Sequence, residues 1–252
     1  MIEKAIWKNQ GEVRTYETDL NGYWKPAAFY RAMEEATVHH SAHLNVDFFS
    51  LQQYGLAWVL ARSKTKFFHF PTSGTQLIIK TWPKGWGQKI FGMRDYSITT
   101  LDGTVCALST SAWLLIDTSS RHFVKPERLR VILPDNHGQF ALDELLDKLG
   151  QPADMQPVAV FQARYSSLDL MGHVNNTQYI DWIFDCFPVE EIRDLKLDWL
   201  QINFNNEIQP DEMLTIEMAP LSGPPGCYAF RGNNQNNDTI AFDAQLGFRT
   251  GS

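Results

Sequence analysis

Residues 169–185 read DLMGHVNNTQYIDWIFD, and 150 positions earlier residues 19–35 read DLNGYWKPAAFYRAMEE. Asp19, Leu20 and Gly22 fall on Asp169, Leu170 and Gly172, and the same shift sets Arg14 on Arg164. Behind each loop comes one apolar spacing. Phe29, Ala32, Met33 and Ala36 match Tyr179, Trp182, Ile183 and Cys186, the i, i+3, i+4, i+7 stripe of a helix with one buried face. Agreement of both a loop and a stripe marks an internal duplication, so each half is expected to hold one such helix.

Strand-like runs follow each helix, separated by turn signals. In the first half they are residues 56–68, 75–82, 89–100 and 104–117, broken at Pro71–Gly74, Gly85–Gly87 and Leu101–Gly103. In the second they are 197–204, 212–219, 226–233 and 239–250, broken at Gln209–Asp211, Ser222–Pro225 and Gln235–Asp238. Strands that come after a helix, without βαβ alternation, imply an α+β layer in which an antiparallel sheet wraps the helix. The expected organisation is a repeat over 1–120, a linker over 121–157 and a second repeat over 158–252. The linker carries four prolines around a short amphipathic piece, ALDELLDKL, and is expected to drape over the surface.

With 252 residues and 44% hydrophobic content the chain can build a substantial core. No stretch approaches the roughly 20 apolar residues of a membrane span, and the start lacks a secretory pattern, so a cytoplasmic protein is expected. Twenty-nine acidic against 22 basic residues give a net charge of -7, which argues against sequence-independent binding to nucleic acid. Basic residues do cluster locally, as Lys80, Lys84, Lys89 and Arg94 and as Arg121, Lys125, Arg128 and Arg130. Each cluster reads as a solvated rim that could receive an acidic partner. Three scattered cysteines fit neither a disulfide framework nor a metal site. Glu35, His39 and His43 recur every four residues without a fourth ligand, so they read as a solvated helix face.

A helix sheathed by a long antiparallel sheet resembles the hotdog fold, and two copies in one chain resemble the double-hotdog acyl-acyl carrier protein thioesterases of plastids and bacteria. The resemblance rests on Asp19-Leu20-Asn21-Gly22 with Glu34-Glu35-Ala36, on Thr81-Trp82-Pro83 with Arg94-Asp95-Tyr96, on Trp113 with Ile116-Asp117, and above all on Asp169 with His173-Val174-Asn175-Asn176. It implies hydrolysis of fatty acyl-acyl carrier protein, with Asp169, His173 and Glu207 as catalytic groups of the second repeat. It also implies a tandem hotdog fold, an acyl pocket shaped by the first repeat, and docking of the carrier's acidic helix on a basic patch. No cofactor, metal, nucleic acid or membrane is expected, and the chain would act as a monomer or homodimer. Met171 stands where the family has asparagine, and Ile208 where plant members have cysteine. The second difference excludes a cysteine nucleophile there and favours attack by water.

The residues themselves can supply such a site. Thioester hydrolysis needs a base for water, a polar cradle for the oxyanion and an apolar trough. Asn175 or Asn176 would cap the helix, whose first N–H groups carry partial positive charge towards a carbonyl oxygen. His173 would hydrogen-bond the carbonyl or orient the water, and Glu207 or Asp169 would be the base. Asn175, Asn176 and Met171 are therefore the expected substrate contacts. The rival structural reading makes Asp169 and the asparagines mere turn and cap acceptors. The first repeat has Tyr23, Lys25 and Pro26 at the positions of His173, Asn175 and Asn176, so the fold forms without them. Two other functions stay open: a hotdog hydrolase of coenzyme A thioesters, and a non-catalytic binder of acyl thioesters.

Overall fold

A computed structural model describes residues 5–249, apart from 135, 137 and 145. The chain forms two compact units, Met1–Trp24 with Phe29–Leu146 and Lys25–Ala28 with Asp147–Ser252. The first contains β1 (Trp7–Glu12), α1 (Pro26–His43) from Phe29 onward, α2 (Phe48–Gln52), β2 (Leu56–Phe67), β3 (Gln76–Gly87), β4 (Phe91–Thr100) and β5 (Val105–Asp117). Its strands pair antiparallel in the order β1-β3-β4-β5-β2. The second contains β6 (Gln156–Gln162), α3 (Asn176–Phe184), α4 (Val189–Ile192), β7 (Leu197–Phe204), β8 (Met213–Pro220), β9 (Cys227–Asn234) and β10 (Thr239–Phe248). Here the order is β7-β10-β9-β8-β6, again antiparallel. The two orders are the same topology, and the chain is an α+β tandem hotdog.

Two strands escape the sequence reading, β1 and β6, one ahead of each helix. Both are edge strands in their units: β1 pairs with β3 and β6 with β8. Pro157 sits in β6, where an edge position spares it a ladder hydrogen bond. The expected break at Gly85–Gly87 is instead the end of β3, which absorbs Gly85 (φ 101°) in a register shift against β4. β6 begins at Gln156, inside the segment read as linker.

α1 starts on Pro26, whose missing N–H is no loss at a first turn. It stops at Asn45, in the left-handed region at φ 56°, where the Val46 N–H returns to the Ser41 carbonyl at 2.9 Å. Its inner face carries Phe29, Met33 and Ala36, all buried. Phe29 meets the sheet edge-on at Phe67, 5.2 Å between ring centroids. α3 is half as long, because Pro188 follows soon after and cannot continue it. It buries Tyr179, Ile180, Trp182 and Ile183, and Tyr179 lies 5.2 Å from Phe242 of β10.

In β4, neighbours Arg94 and Asp95 are both buried, so both faces of this strand are covered. Arg94 faces α1, its Nη1 3.0 Å from His40 Nδ1 and 3.2 Å from Thr81 Oγ1. Asp95 lies on the other face, paired with Lys84 Nζ at 2.9 Å and accepting the Ala141 N–H at 2.7 Å. The described residues of 141–149 form no helix. They run as a strap: Lys84 donates to the Leu142 carbonyl at 2.9 Å, Trp82 Nε1 to that of Gln139 at 3.1 Å, and Lys64 and Lys66 pair with Glu144. Leu142 and Leu146 are buried beneath it. Lys84 and Arg94 therefore leave the first basic cluster for the interior, which corrects its reading as one solvated rim.

Candidate active site

The duplicated loops match bond for bond. In the first repeat the Asp19 N–H donates to the Tyr23 carbonyl at 2.8 Å and the Gly22 N–H to the Asp19 carbonyl at 3.0 Å. In the second, Asp169 donates to His173 at 2.9 Å and Gly172 to Asp169 at 3.0 Å. Gly22 and Gly172 both take φ 79°, a left-handed turn that glycine adopts without strain. Asp19 Oδ1 accepts the N–H of Asn21 at 2.8 Å and of Tyr23 at 2.9 Å. Asp169 Oδ1 accepts those of Met171 at 2.8 Å and His173 at 3.4 Å. One carboxylate oxygen of Asp169 thus meets the same two loop amides as Asp19 does in a repeat without the histidine, the second of them at longer range.

A second suture brings in the turn after the next strand. The Val174 N–H reaches the Ile208 carbonyl at 3.0 Å, as the Trp24 N–H reaches that of Pro71 at 2.8 Å. Pro71 is therefore the counterpart of Ile208, and Phe70 that of Glu207. In the first repeat the pair is Tyr23 and Phe70; in the second it is His173 and Glu207. His173 Nε2 lies 3.5 Å from Glu207 Oε2, with the two side chains 22% and 35% exposed. That is ion-pair range, longer than a good hydrogen bond, and both groups remain open to solvent. Catalytic contacts often stay this loose until substrate binds.

Asn175 is the helix cap: its Oδ1 accepts the Thr177 N–H at 2.8 Å and the Thr177 hydroxyl at 2.6 Å. The Gln178 N–H goes to the Asn175 carbonyl at 2.9 Å. Those first-turn amides are thus occupied by the cap rather than offered to a carbonyl oxygen. Asn176 opens α3, half-buried, and Met171 is 48% exposed on the loop. The turn around Glu207 is closed by Glu212, whose Oε2 accepts the Gln209 N–H and Asn234 Nδ2, both at 2.7 Å. Tyr179, read in the sequence only as part of an apolar stripe, reaches this region. Burial pushes its phenol up, and the nearby Glu207, Asp169 and Glu212 add to that, while a hydrogen bond with the Ile208 backbone pulls the other way. The signal was present in the sequence: Tyr179 stands where the first repeat has Phe29.

Among the described residues, no group of three His, Cys, Asp or Glu side chains is placed to hold a metal ion. His39 Nε2 pairs with Glu35 at 3.1 Å. The Trp7 ring of β1 sits 6.0, 6.2 and 5.6 Å from His39, His40 and His43, so this helix face is partly covered by the strand that the sequence hid. Among the described residues, no helix is long and apolar enough to cross a membrane.

Comparison with known proteins follows this division into two repeats. The acyl-ACP thioesterase N-terminal domain model matches residues 4–129 and the acyl-ACP thioesterase C-terminal domain model residues 150–249. The chloroplastic oleoyl-acyl carrier protein thioesterase 1 of Arabidopsis thaliana is 25% identical over 92% of this chain and 69% of its own length. The chloroplastic oleoyl-acyl carrier protein thioesterase of Coriandrum sativum is 24% identical over 85% of this chain and 62% of its own length. In fold, the chain superposes on an acyl-ACP thioesterase from Bacteroides thetaiotaomicron with a TM-score of 0.79 at 20% identity, covering 97% of this chain and 98% of that one. A 12:0-ACP thioesterase from Umbellularia californica gives 0.82 at 20% identity, covering 97% and 94%. Matched along both its repeats, the chain belongs to the acyl-ACP thioesterase family.

Proposed function

We propose that this chain hydrolyses fatty acyl-acyl carrier protein to free fatty acid and carrier thiol, at the loops that join Asp169 to Asn176 and Asn205 to Glu212. The observation that carries the reading is the His173–Glu207 contact of 3.5 Å between residues 34 positions apart, held by the Val174–Ile208 bond. The first repeat keeps the bond but has neither side chain.

Glu207 is the base. Its carboxylate takes a proton from water as the oxygen attacks the thioester carbonyl carbon, and the π electrons move to the carbonyl oxygen. His173 donates a ring N–H to that oxyanion, a role the capped helix amides of Thr177 and Gln178 do not offer. Collapse of the tetrahedral species breaks the C–S bond, and the leaving thiolate receives the proton carried by Glu207. Asp169 holds the loop. Met171, lacking an amide, leaves positioning of water to Glu207 and His173.

Carrier recognition would fall to Arg121, Lys125, Arg128 and Arg130, all of which are exposed, since Lys84 and Arg94 of the other cluster are buried. An acidic carrier helix against such a segment gains on-rate that falls with salt. The test is thiol release from acyl carrier thioesters of graded chain length by the folded protein. Turnover that exceeds that on the matching coenzyme A thioesters is the expected result. Turnover on coenzyme A thioesters alone would reassign the substrate, and binding without turnover on either would leave an acyl-thioester binding protein.

A further inference from the structure

We propose that the interior of the first repeat, between α1 and its sheet, is a polar subsite for an acyl chain that carries an oxygen substituent, hydroxyl or oxo, along its length. This inference rests on the chain acting on acyl thioesters.

The two repeats build this interior from opposite chemistry. Phe29 meets Phe67 and its counterpart Tyr179 meets Phe204, so the last residues of β2 and β7 mark the same layer. Across the central strands that layer is apolar in both, Phe67, Ala107 and Ile98 against Phe204, Phe242 and Gly232. The next layer is Thr65, Ser109 and Tyr96 in the first repeat but Ile202, Ala244 and Phe230 in the second. The one beyond is Ser63, Ser111 and Arg94 against Leu200, Leu246 and Tyr228. The helix side follows suit, with Tyr30 and Thr37 where the second repeat has Ile180 and Phe187. Thr37 Oγ1 lies 2.9 Å from Tyr96 Oη, and at the matching place the Phe187 ring lies 5.7 Å from Phe230. The fold therefore forms with an apolar interior. In the first repeat the polar replacements are all buried, which is unfavourable unless each finds a partner.

Much of this polarity is met internally. Thr65 Oγ1 donates to Ser109 Oγ at 2.8 Å, while Ser111 Oγ lies 3.3 Å from Tyr96 Oη and accepts the Trp113 indole N–H at 2.8 Å. Two groups stand apart. The Tyr30 hydroxyl is buried and has no hydrogen-bond partner among the described residues; it shares a helix face with Thr37, two turns further on. Arg94 bonds from Nη1 alone, to His40 Nδ1 at 3.0 Å and Thr81 Oγ1 at 3.2 Å, and among the described residues no carboxylate pairs with it. A hydroxyl or oxo oxygen can accept an Arg94 N–H and the Tyr30 O–H, whereas the methylenes of a plain chain leave both unmet.

The test compares acyl carrier thioesters of one chain length, plain or bearing a hydroxyl or oxo group near the thioester, at mid-chain or near the far end. A site that bonds a substrate oxygen rejects the analogue without it, so at least one oxygenated position should be favoured by about 10-fold or more in kcat/KM. Tyr30→Phe removes one oxygen and should bring that ratio to within about threefold. Phe67→Leu loosens the neighbouring apolar layer, and should lower the melting temperature with the ratio kept. Isothermal titration calorimetry of the matching free fatty acids reads the same preference without chemistry.

Plain chains turned over and bound as well as every oxygenated one overturn the subsite and leave the hydrolase reading standing. A preference that Tyr30→Phe keeps in full, or that Phe67→Leu abolishes, overturns the assignment to these polar groups. A protein that hydrolyses no acyl thioester overturns the hydrolase reading instead. Calorimetry then decides the subsite alone: tighter binding of an oxygenated acid supports it, and equal binding overturns it.

Discussion

Removing the side chain of Asp19 or of Asp169 separates loop architecture from chemistry, because the two aspartates accept the same pair of backbone amides in repeats that differ in the histidine. Asp19 Oδ1 holds its two amides at 2.8 and 2.9 Å, whereas Asp169 holds one at 2.8 Å and a second at a long 3.4 Å. Losing an acceptor of this type near the start of a helix costs about 0.5–2 kcal/mol. Asp19→Ala, with two good bonds, belongs near the upper end, at about 2 kcal/mol, and Asp169→Ala nearer 1 kcal/mol. Asp169→Asn keeps an acceptor oxygen and should lie within about 0.5 kcal/mol of wild type. Urea unfolding followed by circular dichroism measures the three values, and thiol release from an acyl carrier thioester measures activity. If Asp169 serves the loop, Asp169→Asn retains activity to within about tenfold while Asp169→Ala loses more, by freeing the His173 backbone. A folded, stable Asp169→Asn that has lost a thousandfold would refute the reasoning and make the carboxylate a participant in the chemistry. A silent Asp19→Ala would refute the equivalence of the loops.

Asp95→Ala should destabilise the chain by about 3–5 kcal/mol, since it leaves buried Lys84 unpaired and frees the strap at Ala141; the midpoint of urea unfolding reads this directly. Burial raises the Cys106 thiol to about 11 and the Cys186 thiol to about 12, from an ordinary 9.0. The native state therefore holds these protons where the unfolded chain releases them, so their contribution to stability is intact below pH 9.0 and falls as pH rises towards 12. At pH 8 both should resist iodoacetamide until urea unfolds the protein, by about 100-fold in rate for Cys106, the ratio of thiolate fractions. Rapid native alkylation of Cys106 would contradict its burial.

The strands β2–β5 and β7–β10 were legible because each keeps a run of apolar and β-branched residues between turn signals. β1 and β6 were not, because an edge strand needs little apolar content: Trp7–Glu12 carries Lys8, Asn9 and Gln10 and is stabilised by β3 along its length. Gly85 looked like a stop, yet a register shift let β3 pass it. Local charge misled in the same way. Lys84 and Arg94 share a basic stretch with exposed Lys80, but strand alternation and the adjacent Asp95 draw them inward, and no sequence window shows that a strap covers the outer face.

At the site, the meeting of His173 with Glu207 was legible only through the family resemblance, since Glu207 by itself reads as an exposed charge in a turn. The division of labour was not. Asp169 has the same sequence context as a general base or as a turn acceptor, and its match with Asp19 is what supports the second reading. The amides of Thr177 and Gln178 looked available until the Asn175 cap was seen to occupy them.

The central claim is that Glu207, paired with His173, takes the proton from the attacking water. Steady-state hydrolysis of an acyl carrier thioester by Glu207→Gln tests it most directly, because the side chain is 35% exposed and the change should leave folding intact. With Glu207 as the base, kcat falls by about 10²- to 10⁴-fold while the melting temperature holds. A Glu207→Gln protein that turns over within about threefold of wild type would contradict it.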